Sequence, residues 1–279
     1  MKVFISVDIE GTAGFSLIDD FTPTTRSGAY FQEQLTREVA AACEGAMEAG
    51  AELVTVRDSH ATGISIIPTG LPVDERIRFI RGLPHDLFIM LGGLQCDNYD
   101  ALMFVASHAG GWSDGNNVSH TFSSMINSFT INGVEMSEFT IGAFMAAYLN
   151  VPIVFMSGDK AACEEAEALL PGMKTVRTME AICGKANMSK HPYLVAEEIK
   201  KVAKESLSGD LSKLVPKLPE NFEVKMRFNA HARAFNYSFF PGVERLDERT
   251  LCLKTNDYMD VLRFIHFTLI PNRPAEFEH

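Results

Sequence analysis

Apolar residues gather along the chain in two kinds of pattern. Lys2 to Asp8 carries Val3, Phe4, Ile5 and Val7 in a nearly unbroken, β-rich run, as in a strand buried on both faces. Leu53 to Val56, Leu102 to Ala106 and Val151 to Met156 repeat that pattern. Between the first two strands, Leu35, Val39, Ala42, Cys43 and Ala46 recur at helical spacing, and Gly50 stands where a helix ends. The spacing predicts further helices over Glu138 to Leu149, Cys163 to Leu170, and around Val195, Ile199, Val202 and Ala203, with Pro192 in the first turn of the last. Asn132-Gly133 marks a two-residue hairpin inside Phe129 to Val134. Phe222, Val224, Met226 and Phe228 alternate, so that strand has one wetter face; a strand (Thr250 to Lys254) and a helix (Tyr258 to Phe267) close the series.

This order predicts an α/β fold, a largely parallel sheet flanked by helices, with a smaller C-terminal α+β subdomain. The expected division is 1–190 for the α/β domain and 191–279 for the subdomain, the boundary falling between 185 and 215.

Composition narrows the function. The 279 residues carry 25 Lys+Arg against 36 Asp+Glu, a formal net charge of −11. An acidic chain lacks the basic footprint needed for nucleic acid or for an anionic membrane surface. No apolar run approaches the length of a membrane span, and the short apolar stretch after Met1 meets Asp8 too soon for a signal peptide. The five cysteines are scattered without a C-x-x-C pair, so they are expected to be free, buried thiols of a cytoplasmic protein.

The acids gain meaning from their positions. In open parallel sheets, ligands bind beyond the carboxyl ends of the strands. Here the first strand runs into Asp8 and Glu10, the second into Asp58 and His60, and the third into His108. If the chain stays extended, Asp8 and Glu10 share one strand face, where two carboxylates repel unless a cation neutralises them. Carboxylates with imidazoles suit zinc or a similar divalent ion. Two of each exceed what one catalytic zinc needs, which points to two metals sharing a carboxylate. Asp58 is placed either to cap a turn or to orient a ligand from behind. His120, beyond a Gly-rich loop, reads equally as a loop residue. Glu138 opens a helix, where an acid also complements the helix dipole.

Ser6-Val7-Asp8-Ile9-Glu10-Gly11 resembles the S-x-D-x-E-G signature of the bacterial D-aminopeptidase family, self-compartmentalising zinc peptidases linked to dipeptide-transport operons. The resemblance continues through Asp58-Ser59-His60, Ser107-His108-Ala109, Ser119-His120-Thr121, Asn132-Gly133 with Glu138, Ser157-Gly158-Asp159, His191-Pro192 and Pro241-Gly242-Val243-Glu244-Arg245. It implies a two-zinc site made by Asp8, Glu10, His60, His108 and Glu138, with His120 as the catalytic residue. It also implies short peptides with D-residues at the N-terminus as substrates, and a homo-oligomeric, decameric ring. Ser137 stands where the family usually has glycine before the ligand glutamate, and the 110–115 loop is atypical.

Two other readings compete. Val7-Asp8-Ile9-Glu10-Gly11-Thr12 resembles the D-x-D-G-T nucleophile motif of haloacid-dehalogenase-like phosphohydrolases, but its second acid is Glu, and His60 and His108 would be idle. A non-catalytic metal- or peptide-binding protein would keep the ligands without turnover.

Overall fold

The computed structural model describes residues 1–82 and 86–270. From the N-terminus run β1 (Lys2–Val7), α1 (Arg26–Glu48), β2 (Leu53–Asp58), β3 (Ile77–Ile80), β4 (Ala101–Ser107), β5 (Ile126–Ile131) and β6 (Val134–Glu135). The middle of the chain forms α2 (Glu138–Tyr148), β7 (Ile153–Asp159), α3 (Lys160–Leu169), β8 (Lys174–Ile182), β9 (Ala186–Ser189) and α4 (Pro192–Ser206). Then follow β10 (Phe222–Phe228), α5 (His231–Tyr237), β11 (Val243–Arg245), β12 (Thr250–Thr255) and α6 (Tyr258–Leu269). Two units result. The first comprises Met1–Ala109, Ser113–Ser119 and Phe139–Lys217; the second takes Gly110–Trp112, His120–Glu138 and the described residues from Leu218 on.

The first unit is built on a seven-stranded sheet ordered β3-β2-β1-β4-β7-β8-β9. Its neighbours pair in parallel except β9, which runs antiparallel to β8. β1, β2, β4 and β7 are buried along their whole length apart from Lys2, which explains their unbroken apolar runs. On one face, Val3, Ile5, Val54, Val56, Met103 and Val105 join Leu35, Val39 and Cys43 of α1 and Val195, Ile199 and Ala203 of α4 in a single buried cluster. Each large side chain so buried stabilises the fold by about 1.5–3 kcal/mol. On the other face Phe4 meets the ring of Tyr99 edge-on at 5.1 Å, and Phe104 meets Phe139 of α2 at 5.4 Å. Helices therefore cover both sides of the sheet, the α/β arrangement the apolar pattern predicts.

In the second unit the sheet is antiparallel and ordered β11-β12-β10-β5-β6. The alternation in β10 buries Phe222, Val224, Met226 and Phe228. Phe222 packs on Tyr258 of α6 at 5.4 Å, and Thr268 of the same helix touches Met226. Asn132 and Gly133 both take positive φ, +53° and +80°, making the tight turn between β5 and β6 that their sequence predicts.

Elements without a clean apolar period escaped sequence reading: β3 is half-exposed, β9 is short and open, and α5 buries only Ala234. α3 begins at Lys160, three residues before its predicted start, because Asp159 caps it by accepting the Ala162 N–H at 2.9 Å. All five cysteines are free, but only Cys43, Cys163 and Cys252 are buried; Cys96 and Cys183 are exposed, correcting the expectation for those two. Among the described residues, no helix is long and apolar enough to cross a membrane.

Candidate metal centre

β1 is where the strand order turns: the chain steps to β2 on one side and to β4 on the other. Such a switch point leaves a crevice beyond the carboxyl ends of the strands. Asp8 and Glu10 follow β1, His60 follows β2, and His108 follows β4.

The chain does not stay extended past Val7. It turns, with the Thr12 N–H donating to the Ile9 carbonyl at 2.9 Å, so Asp8 and Glu10 are not alternate residues of a strand face as the sequence suggested. The turn still converges them: one ligand atom each from Asp8, Glu10 and His60 lie within 4.8 Å of one another. What forces the turn is a close approach. Gly11 donates its N–H to the Ala106 carbonyl at 2.8 Å, and a Cβ on Gly11 would stand 2.0 Å from the Ser107 carbonyl oxygen. A Cβ on Gly158 would stand 2.2 Å from the same oxygen. Ala106 itself is held at φ +61°, costly for a residue with a Cβ, where β4 slips register against β7.

Imidazole and carboxylate meet in pairs. His60 Nε2 lies 3.4 Å from Glu10 Oε1, and His108 Nε2 lies 3.5 Å from Asp8 Oδ2. Two ligands of a tetrahedral zinc, each about 2.0–2.1 Å from the metal, stand about 3.4 Å apart. His108 Nδ1 faces the Ala109 carbonyl at 2.9 Å. A carbonyl only accepts, so in the neutral ring Nδ1 carries the hydrogen and Nε2 turns a lone pair toward Asp8. A lone pair opposed to a carboxylate oxygen calls for a cation between them, and a backbone carbonyl behind the imidazole is how metal-binding histidines are commonly oriented. The donor set therefore fits a divalent ion of zinc's preferences.

Support comes from behind. Asp58, fully buried, accepts the backbone N–H of Ile66 at 2.8 Å, and Ser65 Oγ lies 3.0 Å from His60 Nδ1. Burial raises the Asp58 carboxyl above its usual range, partly offset by the Ile66 N–H. Phe21 packs on the His60 ring at 5.1 Å. Asp159 accepts the Ala109 N–H (2.7 Å) and the Asn116 amide (3.0 Å), and the same amide donates to the Glu10 carbonyl at 3.0 Å. Burial also raises the Asp159 carboxyl. Asp159 could have been singled out by the signal that marks Asp8 and Asp58, an acid at the end of a buried strand. Ser65 and Asn116 sit in loops with no such signal.

The second unit brings together His120 and Glu138, with Nε2 3.5 Å from Oε1. Glu138 Oε1 also accepts the Phe122 N–H at 2.7 Å. Thr121 fastens the same loop by donating to the Met136 carbonyl at 2.9 Å and accepting the Gly111 N–H at 3.1 Å. His191, by contrast, caps α4, accepting the Tyr193 N–H at 3.3 Å.

A largely parallel sheet with carboxylate–imidazole pairs at its switch point defines an α/β protein whose strand ends could hold a metal ion. Comparison with known proteins is more specific. The family described as D-aminopeptidase matches residues 1–267, and the chain belongs to it. A D-aminopeptidase of Bacillus subtilis (strain 168) is 29% identical over 184 residues, a match that spans 65% of the chain and 65% of that relative's length. The solved structure of the Zn-dependent D-aminopeptidase DppA from Bacillus subtilis, a self-compartmentalizing protease, superposes with a TM-score of 0.87. That match is 23% identical and covers 98% of this chain and 99% of that one, so the fold is shared throughout.

Proposed function

We propose that the protein is a zinc-dependent aminopeptidase that removes N-terminal residues, D-residues in particular, from short peptides. Asp8, Glu10, His60, His108 and Glu138 would hold two zinc ions per subunit, and His120 is the catalytic residue. The observation that carries this reading is the ligand-like spacing of the Glu10–His60 and Asp8–His108 pairs in a chain of the D-aminopeptidase family.

Zinc held there supplies Lewis acidity to the scissile carbonyl and to an attacking water. Asp8, Glu10 and Glu138 would offset the cationic charge. Asp58 acts behind His60 by holding the loop that ends in Ser65 and Ile66. His120, about a third exposed, would deliver a proton to the departing amine. A carboxylate-rich site also attracts a substrate's free α-ammonium group, which restricts cleavage to the N-terminus. The self-compartmentalizing relative supports a homo-oligomeric assembly; following the family resemblance, we assign a decameric ring, working in the cytoplasm on peptides small enough to enter it.

The test combines metal analysis of the purified protein with turnover of D-alanyl dipeptides, their L-isomers and a phosphate ester. Zinc at two per chain with selective loss of the D-dipeptides is expected. Hydrolysis of the ester alone, or zinc without any turnover, overturns the assignment.

A further inference from the structure

The turn that carries His60 is held in place by a buried charge. His60 to Gly63 closes tightly, the Gly63 N–H donating to the His60 carbonyl at 2.7 Å. Ala61 inside it stands at φ +47°, a conformation unfavourable for a residue with a Cβ, and such a turn keeps its shape only where its surroundings hold it. Gly82 supplies that hold. Its N–H donates to the Gly63 carbonyl at 2.9 Å, and a Cβ on Gly63 would stand 2.5 Å from the Gly82 carbonyl oxygen. The same Gly82 oxygen accepts from Arg57 Nη1 at 2.8 Å. A chain of three hydrogen bonds therefore runs from the Arg57 guanidinium to the backbone of His60.

Arg57 is a costly residue for its place. It lies in β2, paired with Ser6 of β1 and Ile80 of β3, and is 1% exposed. A strand buried on both faces is ordinarily apolar, and a charge there costs free energy unless it is paired. Asp58 and Asp86 offset the charge, yet Nε and Nη2 make no hydrogen bond among the described residues. What the guanidinium holds is the Gly82 carbonyl, by a charge-assisted bond from a strand fixed on both sides. We propose that Arg57 is a positioning residue which, on the reading above that His60 is a zinc ligand, clamps Gly82 and Gly63 so that the strained turn presents His60 to the metal. Without the clamp Ala61 relaxes toward an ordinary φ and the His60 backbone follows. Zinc affinity then falls at the position His60 serves, while His108, which follows β4, keeps its own.

The experiment is amide hydrogen exchange by NMR on the metal-free full-length protein, followed by zinc titration against a chromophoric chelator. Arg57→Met should speed exchange at the Gly63 and Gly82 amides and leave the Ile66 amide, held by Asp58, protected. It should also weaken one of two zinc steps by about tenfold, the low end for groups that orient a ligand. Arg57→Lys keeps one charged donor, which is all that Gly82 receives, and should restore both readouts. In an Ala61→Gly background, where a positive φ costs little, the effect of Arg57→Met on zinc should shrink. Arg57→Gln, too short to reach Gly82, takes the place of the methionine variant if that one does not fold. Unchanged exchange at Gly63 and Gly82, equal weakening of both zinc steps, no rescue by lysine, or an undiminished effect beside Ala61→Gly overturns the inference and leaves the zinc reading intact. A wild-type protein that takes up no zinc overturns the zinc reading itself, while the exchange rates still judge the clamp.

Discussion

Both units set an imidazole nitrogen about one ligand-to-ligand distance from a carboxylate oxygen, but they do so by different means. In the first unit the residues leave the ends of strands that are buried throughout, and His108 is 1% exposed in its side chain. In the second, His120 rides a loop stitched to Met136 and Glu138 by two hydrogen bonds, and its side chain is 31% exposed. Rigid, dry positions suit groups that must keep a cation at fixed distances. A wetter, loop-borne imidazole suits a group that must exchange protons with substrate and solvent. The contrast predicts that the two sets fail differently.

Breaking that contrast should give the largest effect. His120→Ala should lower kcat by about 100- to 10,000-fold with zinc content unchanged, whereas Asp8→Ala should lose both zinc and turnover. Loss of zinc in the His120 variant, or full activity, would erase the distinction.

A smaller effect separates the site from its scaffold. Glu38 of α1 lies wholly buried, holding the turn after Glu10 through the Ala13 N–H at 3.1 Å, and burial pushes its carboxyl up to about 7. Below pH 4.5 both folded and unfolded chains keep that proton, so the native state is spared the cost of a buried charge. From pH 4.5 up to about 7 the unfolded chain ionises while the native state keeps its proton, so that advantage is lost progressively, about 3 kcal/mol in all, and the loss levels off once the native state ionises too. Glu38→Gln does not titrate, so between pH 5 and pH 8 the unfolding free energy from denaturant titration should fall in the wild type relative to the variant by most of that amount. Parallel pH profiles would show that Glu38 is not the group responsible.

Gly11→Ala sharpens the comparison from the other side. It places a methyl against the Ser107 carbonyl and should cost about 1–3 kcal/mol of stability, with zinc affinity falling because Glu10 is displaced. Thermal unfolding with and without chelator measures both parts, and a variant as stable and as zinc-avid as wild type would refute the close approach.

The parts legible in the sequence were those whose burial is uniform. β1, β2, β4 and β7 are covered on both faces, so their apolar runs announce them, and α1 and α4 announce themselves by a stripe packed on one side. Strands at the sheet margin, β3 and β9, carry mixed patterns because half their surface is wet. At the site, residue types at strand ends pointed to Asp8, Glu10, His60 and His108, but the assumption of extended backbone through Glu10 failed. The turn there depends on Ala106 and Ser107, about a hundred residues away, and local periodicity carries no trace of such a contact. For the same reason the supporting bonds from Ser65 and Asn116 were invisible. His120 and Glu138 were candidates that periodicity could not decide, and only the family resemblance gave them roles.

The Ser107 carbonyl, pressed between Gly11 and Gly158, also limits how the chain can diverge. Three segments far apart in sequence are registered on one oxygen atom, so adding or deleting a residue in any of them displaces the other two. Length variation among descendants of this chain should therefore fall elsewhere, in loops such as 61–76 that leave the sheet and return to it. New substrate preferences would then be gained by lengthening those loops, while the interval from Val7 to Gly11 keeps its length.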